Sequence, residues 1–203
     1  REGSCSVGEC GRGGAGRSGS WHGAGWGRQG DDIVGEAAGD WSGWTVALSA
    51  DGGTASSGAR YNDGNGTDSG HARIFAWTGA GWVQQGADID GEAAGDQSGG
   101  SVALSADGGT AIVGAYGSDG NGTDSGHARI FAWTGAGWVQ QGADIDGVDA
   151  GDESGGAVGL SADGGTAIVG ADGSDGNGTA WGLARISGWT GAGWVPPGAG
   201  IGR

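Results

Sequence analysis

The sequence is dominated by a tandem repeat of 56 residues, and overlooking a repeat of this kind would misassign the whole fold. The heptapeptide LSADGGT begins at Leu48, Leu104 and Leu160. A second heptapeptide, WTGAGWV, begins at Trp77, Trp133 and Trp189, and a diverged copy, WHGAGWG, begins at Trp21 in the same register. Residues 45–100 and 101–156 are identical at 47 of 56 positions. We therefore expect nearly equivalent structural units, each packed on its neighbours.

Each unit has the signals of four short strands joined by tight turns. In the second copy, SVALSA (101–106) and TAIVGA (110–115) have the residue pattern of strands, and they flank Asp107-Gly108, a pair preferred in type I′ hairpin turns. HARIFAW (127–133) and WVQQGADI (138–145) flank TGAG, which places Trp133 opposite Trp138. No window has the period of an amphipathic helix.

Four strands in a unit of this length are typical of a β-propeller blade. We therefore predict an all-β fold, a partial β-propeller of about three four-stranded antiparallel blades with a 56-residue repeat. The predicted division is a disordered glycine-rich tail at 1–20, a terminal strand and linker at 21–44, blade 1 at 45–100, blade 2 at 101–156, and blade 3, with an incomplete linker, at 157–203. Because propellers typically close with about four to eight blades, three blades predict a fragment of a larger ring, an assembly of partial rings, or a poorly stable product.

Composition leaves little aliphatic bulk for the core of these blades. The chain has 55 Gly, 24 Asp and Glu against 9 Lys and Arg, and a formal net charge of −15. Such a balance is also typical of disordered chains, but the 11 Trp, many at fixed spacing, each bring a large apolar area. We predict that small residues let neighbouring sheets approach closely and that large residues, Trp or Ile, fill the wider spaces, with the indole rings wedging the sheets together.

The same composition limits the partners of the chain. The acid excess argues against nucleic acid, because that affinity comes from cations that neutralise phosphates. No apolar run is long enough for a membrane helix, so we predict no membrane span. The first residue is Arg1 and no signal segment follows, so we expect a piece of a longer protein, completed by neighbouring blades of that chain or by an oligomer. For Cys5 and Cys10, outside the repeats, an unstructured tail is favoured over a small disulfide loop or a zinc site.

The second copy, SGGSVALSADGGTAIVGAYGSDGNGTDSGHARIFAWTGAGWVQQGADIDG (98–147), resembles the FG-GAP repeats of integrin-α-like β-propellers. The likeness extends from Trp21 to Ile201 and rests on order and spacing, since SG and GAY stand where that family has Phe-Gly and Gly-Ala-Pro. The resemblance implies an extracellular or cell-surface location and a binding or adhesive role. The calcium loop of that family, D-x-D-x-D-G, is here the short turn ADGGT, so its ligands do not carry over.

The glycine-rich loop between the second and third strands presents side-chain oxygens at alternate positions, as calcium loops do. The candidate metal ligands are Asp63, Asn65, Thr67 and Asp68 in blade 1 and Asp119, Asn121, Thr123 and Asp124 in blade 2. Ile130 stands where a calcium loop has its bidentate glutamate, so the favoured interpretation is an Asx-turn loop in which these side chains shape the backbone. A calcium-stabilised structural segment stays the alternative, and no cofactor other than Ca²⁺ is indicated.

The histidines and the acidic linkers give no catalytic pattern. His71 and His127 are equivalent, and Leu183 replaces them in the third copy, so we interpret them as half-buried strand residues. A second acidic cluster is interpreted as a solvated linker between blades, because Val148 replaces its glutamate in the next copy; its members are Asp88, Asp90, Glu92 and Asp96.

No nucleophile elbow, zinc-protease motif or phosphate loop occurs, and near-identical blades leave little room for one asymmetric active site. We therefore predict no catalytic residues and no enzymatic activity, with a carbohydrate-active propeller enzyme as a further alternative. The predicted function is a non-enzymatic extracellular binding, adhesion or scaffold module that recognises a protein or a glycan.

Overall fold

The computed structural model describes residues 15–16, 19–21, 26–176 and 181–196. All regular secondary structure assigned in these residues is β-strand. The strands are β1 (Ala15–Gly16), β2 (Gly19–Trp21), β3 (Trp26–Arg28), β4 (Ile33–Val34), β5 (Thr45–Leu48), β6 (Thr54–Ala59), β7 (His71–Trp77), β8 (Trp82–Gln84), β9 (Ile89–Asp90), β10 (Ser101–Leu104), β11 (Thr110–Ala115), β12 (His127–Trp133), β13 (Trp138–Gln140), β14 (Ile145–Asp146), β15 (Ala157–Leu160), β16 (Thr166–Ala171), β17 (Leu183–Trp189) and β18 (Trp194–Val195). The described part of the chain holds no helix long and apolar enough to cross a membrane.

Each repeat folds as one antiparallel blade. Blade 1 has the strand order β5-β6-β7-β8, blade 2 the order β10-β11-β12-β13, and blade 3 the order β15-β16-β17-β18. The two-residue strands β9 and β14 pair with β7 and β12 beside these paths. The predicted all-β partial propeller of three four-stranded blades is confirmed, and the array is open rather than closed.

The first strands of the blades begin at Thr45, Ser101 and Ala157, the residues at which the sequence divides into repeats. Ahead of them, β1 pairs with β4 and β2 pairs with β3. Cys5 and Cys10, in the predicted tail 1–20, lie outside the described residues. The division of the whole chain stays a prediction.

The turn after the first strand of each blade differs from the predicted type I′ turn. Gly108 has a φ of 70°, but Asp107 does not lie in the left-handed region, and the Gly108 N–H donates to Ser105 O at 3.0 Å. This is a wider turn that ends in a left-handed glycine. The Asp107 side chain explains it, because its Oδ1 accepts from Ser105 Oγ at 2.6 Å and from Gly109 N at 2.9 Å. These bonds, the one from Ser105 first, hold the pKa of the Asp107 carboxyl below its ordinary value.

The hydrophobic core lies between successive blades and is mainly aliphatic. Between blades 1 and 2, Ile74 packs with Val113 and Phe131; between blades 2 and 3, Ile112 packs with Val169. Burying aliphatic side chains of this size stabilises a fold by about 1.5–3 kcal/mol each. Of the predicted Trp and Ile, isoleucine therefore fills the gap between the sheets, together with valine, and the indole rings only pack against its edge.

The tryptophans lie instead at the edge of each interface, in the predicted hairpin register. Trp133 lies opposite Trp138 on the neighbouring strand, with ring centroids 5.5 Å apart. Trp138 is half-buried against the core between blades 1 and 2, and its Nε1–H donates to Gln85 O of the preceding blade at 2.8 Å. The pair encloses Gly86, where an added Cβ would lie 3.0 Å from Trp133 and 3.1 Å from Trp138. We call this arrangement the tryptophan clasp.

The clasp recurs at each junction. The Trp82 Nε1–H donates to Gln29 O at 3.1 Å, and the Trp194 Nε1–H donates to Gln141 O at 2.8 Å. Gln29, Gln85 and Gln141 each precede a left-handed glycine, and each of these three hairpins binds the chain segment of the unit before it.

Close backbone approach also joins the blades, and here the predicted role of small residues is confirmed. Gly114, in β11, faces the segment that leads into the next blade. An added Cβ would lie 2.1 Å from Gly155 O in that segment and 2.3 Å from Ser101 Oγ on the neighbouring strand of its own blade. No side chain fits in that space, so the position requires glycine whatever its φ.

Candidate functional site

A cleft of about 540 Å³ opens where the three blades meet. The first strands β5, β10 and β15 pack side by side along this centre. The lining residues are Trp44, which directly precedes blade 1, Arg60 and Gly100 from blade 1, Tyr116, Glu153 and Gly156 from blade 2, and Ala157, Gly170, Ala171, Asp172, Gly182 and Leu183 from blade 3. No single blade forms the cleft, so it exists only because the blades stack.

The side chains around the cleft hold equivalent repeat positions but differ in each blade. The residue directly after the second strand is Arg60 in blade 1, Tyr116 in blade 2 and Asp172 in blade 3. The same repeat position therefore presents a cation, a phenol and a carboxylate to one cleft, one from each blade. The cleft is chemically asymmetric although the blades have nearly the same fold.

Some of the differences between the copies lie around this cleft. Residues 45–100 and 101–156 differ at only 9 of 56 positions. Three of those positions carry Arg60, which lines the cleft, Tyr61, whose ring contacts Arg60, and Gln97, which contacts the cleft residue Tyr116. Two other differences lie in the packing between blades, where Ile112 and Val113 replace the buried Ser56 and Ser57. The copies therefore differ at the cleft as well as in part of the core.

Arg60 lies among aromatic rings. Its Cζ is 3.9 Å from the ring centroid of Trp44, 4.6 Å from that of Tyr61 and 5.4 Å from that of Trp41. Its Nη1 donates to the Tyr116 hydroxyl at 3.2 Å. Cation–π contacts at such distances contribute about 0.5–2 kcal/mol each, so the guanidinium is held in place. Trp44, which lines the cleft, and Trp41, whose ring contacts it, are 49% and 50% exposed, so apolar ring surface is open to solvent there.

Tyr116 connects this aromatic group to blade 2. Its hydroxyl donates to Gln97 Oε1 while it accepts from Arg60. Burial raises the pKa of the Tyr116 phenol above its ordinary value of 10.0, with the charge of Arg60 acting in the opposite direction. Tyr116 is therefore a neutral phenol at physiological pH, and both its hydrogen-bonding functions are in use.

Strained backbone borders the cleft in all three blades. Trp41, Gln97 and Glu153 hold equivalent positions and have φ values of 56°, 53° and 53°. For residues with a Cβ this conformation costs about 1–2 kcal/mol each. The glycine-rich loop holds two of them, since Asp68 O accepts from Gln97 N at 3.1 Å and Asp124 O accepts from Glu153 N at 3.0 Å. Retained strain at a cleft favours a functional role for these positions.

Two further groups of titratable side chains share no residue with the cleft, and we call them the interface histidine clusters. The first consists of Glu36, His71 and Asp88, and the second of Glu92, His127 and Asp144. In each cluster one ligand atom from every residue lies within 4.8 Å of the others. The closest approach joins histidine Nδ1 to aspartate Oδ2, at 3.5 Å in the first cluster and 3.8 Å in the second.

The histidines of these clusters are buried, not half-buried as the sequence interpretation has them. His71 is 1% exposed and His127 is 2% exposed. Neither ring nitrogen of His71 has a hydrogen-bond partner, nor has Nε2 of His127. Burial lowers the pKa of His71 below 6.5, with Asp88 opposing that shift, so its imidazole is neutral at physiological pH.

The loop residues with the candidate metal ligands Asp63, Asn65, Thr67 and Asp68 shape the backbone. Asp63 Oδ1 accepts from Asp68 N at 2.8 Å, and Asn65 Nδ2 donates to Gly91 O at 2.8 Å. Thr67 takes part through its main-chain oxygen, which accepts from Gly95 N at 2.9 Å. The first bond closes the loop on itself, and the other two dock the loop on the following linker.

The loop of blade 2 repeats this arrangement. Asp119 Oδ1 accepts from Asp124 N at 2.9 Å, Asn121 Nδ2 donates to Gly147 O at 2.8 Å, and Thr123 O accepts from Gly151 N at 2.9 Å. Calcium binding at either loop stays a prediction.

Sequence reasoning missed the interface histidine clusters because it judged the histidines and the acidic linkers separately. The residues of one cluster are far apart in the chain, since Glu36 precedes blade 1 while His71 and Asp88 follow in it. The usable signal was the repeat itself, because Glu92, His127 and Asp144 recur at the same 56-residue step.

Comparison with known families identifies the repeat. Residues 88–131 match the model of the FG-GAP repeat. The match runs from the end of blade 1 through β11 and into β12. The resemblance predicted from the sequence is therefore confirmed. A search of curated proteins found no match.

Two solved structures resemble the chain in fold. The periplasmic gluconolactonase PpgL of Pseudomonas aeruginosa aligns with a TM-score of 0.50 and 14% identity, over 92% of this chain and 52% of that chain. The hydrazine synthase of Kuenenia stuttgartiensis aligns with a TM-score of 0.48 and 15% identity, over 75% of this chain and 34% of that chain. The chain thus spans about half or less of the proteins it matches, and the likeness concerns fold alone.

The first of these structures corrects the prediction of no enzymatic activity. PpgL is a gluconolactonase with a similar propeller fold, so this architecture does not argue against catalysis. The reason given for that prediction also fails, because near-identical blades here form an asymmetric cleft. For cellular location, the comparison shows only that one structural neighbour, PpgL, is a periplasmic protein.

Proposed function

We propose that this chain is a segment of an extracellular binding or adhesion propeller, and that the cleft between its three blades binds a neutral glycan. One observation carries the proposal. Copies that are otherwise almost identical diverge at Arg60, Tyr61 and Gln97, around a cleft that each blade supplies with a different side chain. Divergence of surface-forming positions on a fixed scaffold is how repeat folds acquire ligand specificity.

The shape of the cleft favours a glycan over a protein surface. Sites for small ligands are concave, with volumes of about 300–1,000 Å³, and are lined by apolar rings with a few polar groups. The cleft, at about 540 Å³, falls in this range. A protein partner needs about 800 Å² of complementary surface on each side, far more than the interior of one cleft offers.

The chemistry of the cleft favours an uncharged ligand. Trp44 and Trp41 offer half-exposed ring faces, against which the C–H faces of a sugar ring can stack. Across the cleft, Glu153 and Asp172 are exposed carboxylates that accept hydrogen bonds from hydroxyl groups. Because the whole chain has a formal net charge of −15, an anionic glycan would be repelled.

An extracellular location is supported by the FG-GAP resemblance and by a periplasmic structural neighbour. Glycans of cell walls, matrices and secreted polymers are accessible to a protein in that location. The chemistry of the cleft and the proposed extracellular location therefore both support a glycan as the ligand.

The test uses substitutions drawn from the chain's own repeats. Binding of the protein to immobilised neutral oligosaccharides is screened, and the dissociation constant of the best ligand is measured by calorimetry. Trp44→Gly introduces the residue that blades 2 and 3 have there, and Arg60→Tyr introduces the residue of blade 2. Each is expected to weaken binding by about 10-fold or more, because rings and guanidinium groups of this kind contribute about 1.4 kcal/mol or more to a binding site.

Ala93→Asp is the matched control, since it also copies a residue from the next repeat but changes an exposed linker outside the cleft. It is expected to leave the dissociation constant unchanged. Equal effects of Ala93→Asp and Arg60→Tyr, or failure of every neutral oligosaccharide to bind, would contradict the proposal.

A further inference from the structure

We propose that the two interface histidine clusters are binding sites for a divalent transition-metal ion, with Zn²⁺ as the representative ion. Each site joins a blade to the linker that precedes it. The ligands are Glu36, His71 and Asp88 in the first site and Glu92, His127 and Asp144 in the second.

The spacing of the ligand atoms fits one ion. Zinc takes histidine nitrogen and carboxylate oxygen at about 2.0–2.2 Å, so neighbouring ligands of a tetrahedral site lie about 3.3–3.5 Å apart. His71 Nδ1 and Asp88 Oδ2 are 3.5 Å apart, and the equivalent atoms of His127 and Asp144 are 3.8 Å apart. All three ligand atoms lie within 4.8 Å of one another, so a rotation of the glutamate side chain that shortens its separations by about 1.3 Å at most completes the set.

The buried imidazoles point independently to a ligand. His71 is 1% exposed, and neither of its ring nitrogens has a hydrogen-bond partner. A buried polar group left without a partner costs about 1–3 kcal/mol, and two nitrogens on one ring are affected here. A metal ion that accepts the lone pair of one ring nitrogen removes part of this cost. Coordination therefore explains why a histidine occupies a buried strand position.

Neighbouring side chains orient the carboxylates. Gln84 Nε2 donates to Asp88 Oδ1 at 2.5 Å, and Gln140 Nε2 donates to Asp144 Oδ1 at 2.6 Å, which turns Oδ2 of each aspartate towards its histidine. Hydrogen bonds of this kind hold ligands in position around metal ions. The two sites are built alike down to this supporting contact.

An arginine also faces each glutamate. Arg73 Nη1 lies 3.4 Å from Glu36 Oε1, while Arg73 Nη2 donates to Val34 O at 2.6 Å. Because the main-chain bond anchors the guanidinium, Glu36, with a side chain that is 47% exposed, can rotate towards the ion without displacing Arg73. The ion pair therefore competes with metal binding at the glutamate but not at the histidine or the aspartate.

The third repeat supplies the strongest argument. The positions that follow Glu92, His127 and Asp144 by 56 residues carry Val148, Leu183 and Gly200. All three candidate ligands are replaced together, although most of the surrounding residues are retained. Residues with independent structural roles have no reason to be replaced together. Three ligands of one ion do, because none of them binds the ion well without the others.

The donor set selects the class of metal. An imidazole with two carboxylates suits zinc and its neighbours in the first transition row. Calcium takes six to eight oxygen ligands and has little affinity for nitrogen. These sites are therefore distinct from the candidate calcium loops at Asp63 and Asp119.

The test counts zinc ions in a chain with Cys5→Ser and Cys10→Ser, so that thiolates do not contribute. Zinc is titrated in competition with a chromophoric chelator, and Co²⁺ replaces it to report coordination by visible absorption. His71→Leu and His127→Leu place in the first two copies the residue that blade 3 has at this position. Each is expected to remove one tight zinc ion, and the double variant two, with affinity at those sites reduced by at least about 100-fold.

A control and a second pair of variants keep the test decisive. Asp63→Asn, which alters a candidate calcium loop, is expected to retain both zinc ions. Asp88→Asn with Asp144→Asn replaces two ligands by groups of the same shape, so it decides the matter where the leucine variants fail to fold. The inference is overturned where the parent chain binds no zinc, or where folded leucine or asparagine double variants bind as many zinc ions as the parent.

Discussion

The stacking of blades makes a sharp prediction at one glycine of the second strand. Gly114→Ala places a Cβ 2.1 Å from Gly155 O and 2.3 Å from Ser101 Oγ. Real contacts of a Cβ essentially never fall below 3.0 Å, so the next blade must move by about 0.9 Å. Gly170→Ala is the matched control, because it changes the equivalent glycine of blade 3, where the nearest atom, Ala157 Cβ, is at 3.4 Å.

The magnitude follows from the contacts that the displacement breaks. Overpacking of this kind costs about 1–3 kcal/mol. Gly155 also accepts a hydrogen bond from Ser101 Oγ at 2.6 Å and donates one to Gly170 O at 2.9 Å, and each contributes about 0.5–1.5 kcal/mol. We therefore expect Gly114→Ala to lower the free energy of unfolding by about 2–6 kcal/mol. Gly170→Ala is expected to raise it by about 0.5–1 kcal/mol, because alanine restricts the unfolded chain more than glycine does.

Urea denaturation followed by tryptophan fluorescence measures both variants, and hydrogen exchange locates the loss. Protection is expected to fall first in β11 and β15 of Gly114→Ala, the strands on either side of the displaced contact. Similar unfolding free energies for the two variants would refute the reasoning, since the positions differ chiefly in what the next blade places against them.

Two further predictions concern the aromatic residues. Trp138→Phe removes the donor to Gln85 O and is expected to lower the free energy of unfolding, measured in urea, by about 1–3 kcal/mol. Trp26→Phe changes a ring that is 79% exposed and is expected to lower it by less than about 0.5 kcal/mol. Equal losses would count against the tryptophan clasp. Tyr61→Phe leaves Tyr116 as the one tyrosine of the chain. In a pH titration of this variant, the phenolate absorbance is expected to appear with a midpoint above pH 10.0, because burial favours the neutral phenol. A midpoint at or below pH 10.0 would show that the Tyr116 ring is not desolvated.

Much of the fold follows from rules that act over short distances in the chain. The pairing of Trp133 with Trp138 needs only a hairpin across TGAG, and the strand pattern of TAIVGA needs only its β-branched residues. The turn at Asp107 was harder, because a side-chain carboxylate that accepts from Gly109 N changes the backbone that the Asp-Gly pair alone suggests.

The sites depend on contacts between blades, which local patterns do not report. Arg60 and Tyr116 are one full repeat apart and meet only because adjacent blades stack. The same holds for the core, in which Val113 and Phe131 of one blade complete the apolar surface around Ile74 of another. A composition poor in aliphatic residues predicts indoles there, but the few branched residues are placed where burial is complete.

Comparison among the copies separates the roles of these residues, because each role leaves a different pattern across the repeat. Glycines such as Gly114 are the same in every copy, as expected where backbones pack. The position of Arg60 and Tyr116 differs in every copy, as expected where one ligand contacts several blades. Glu92, His127 and Asp144 are present in two units and replaced together in the third, as expected of residues that act only in combination. Packing, the proposed ligand recognition and the proposed metal binding therefore lie on different subsets of one repeat, and the two proposed functions can each be altered by substituting a residue that another copy already contains.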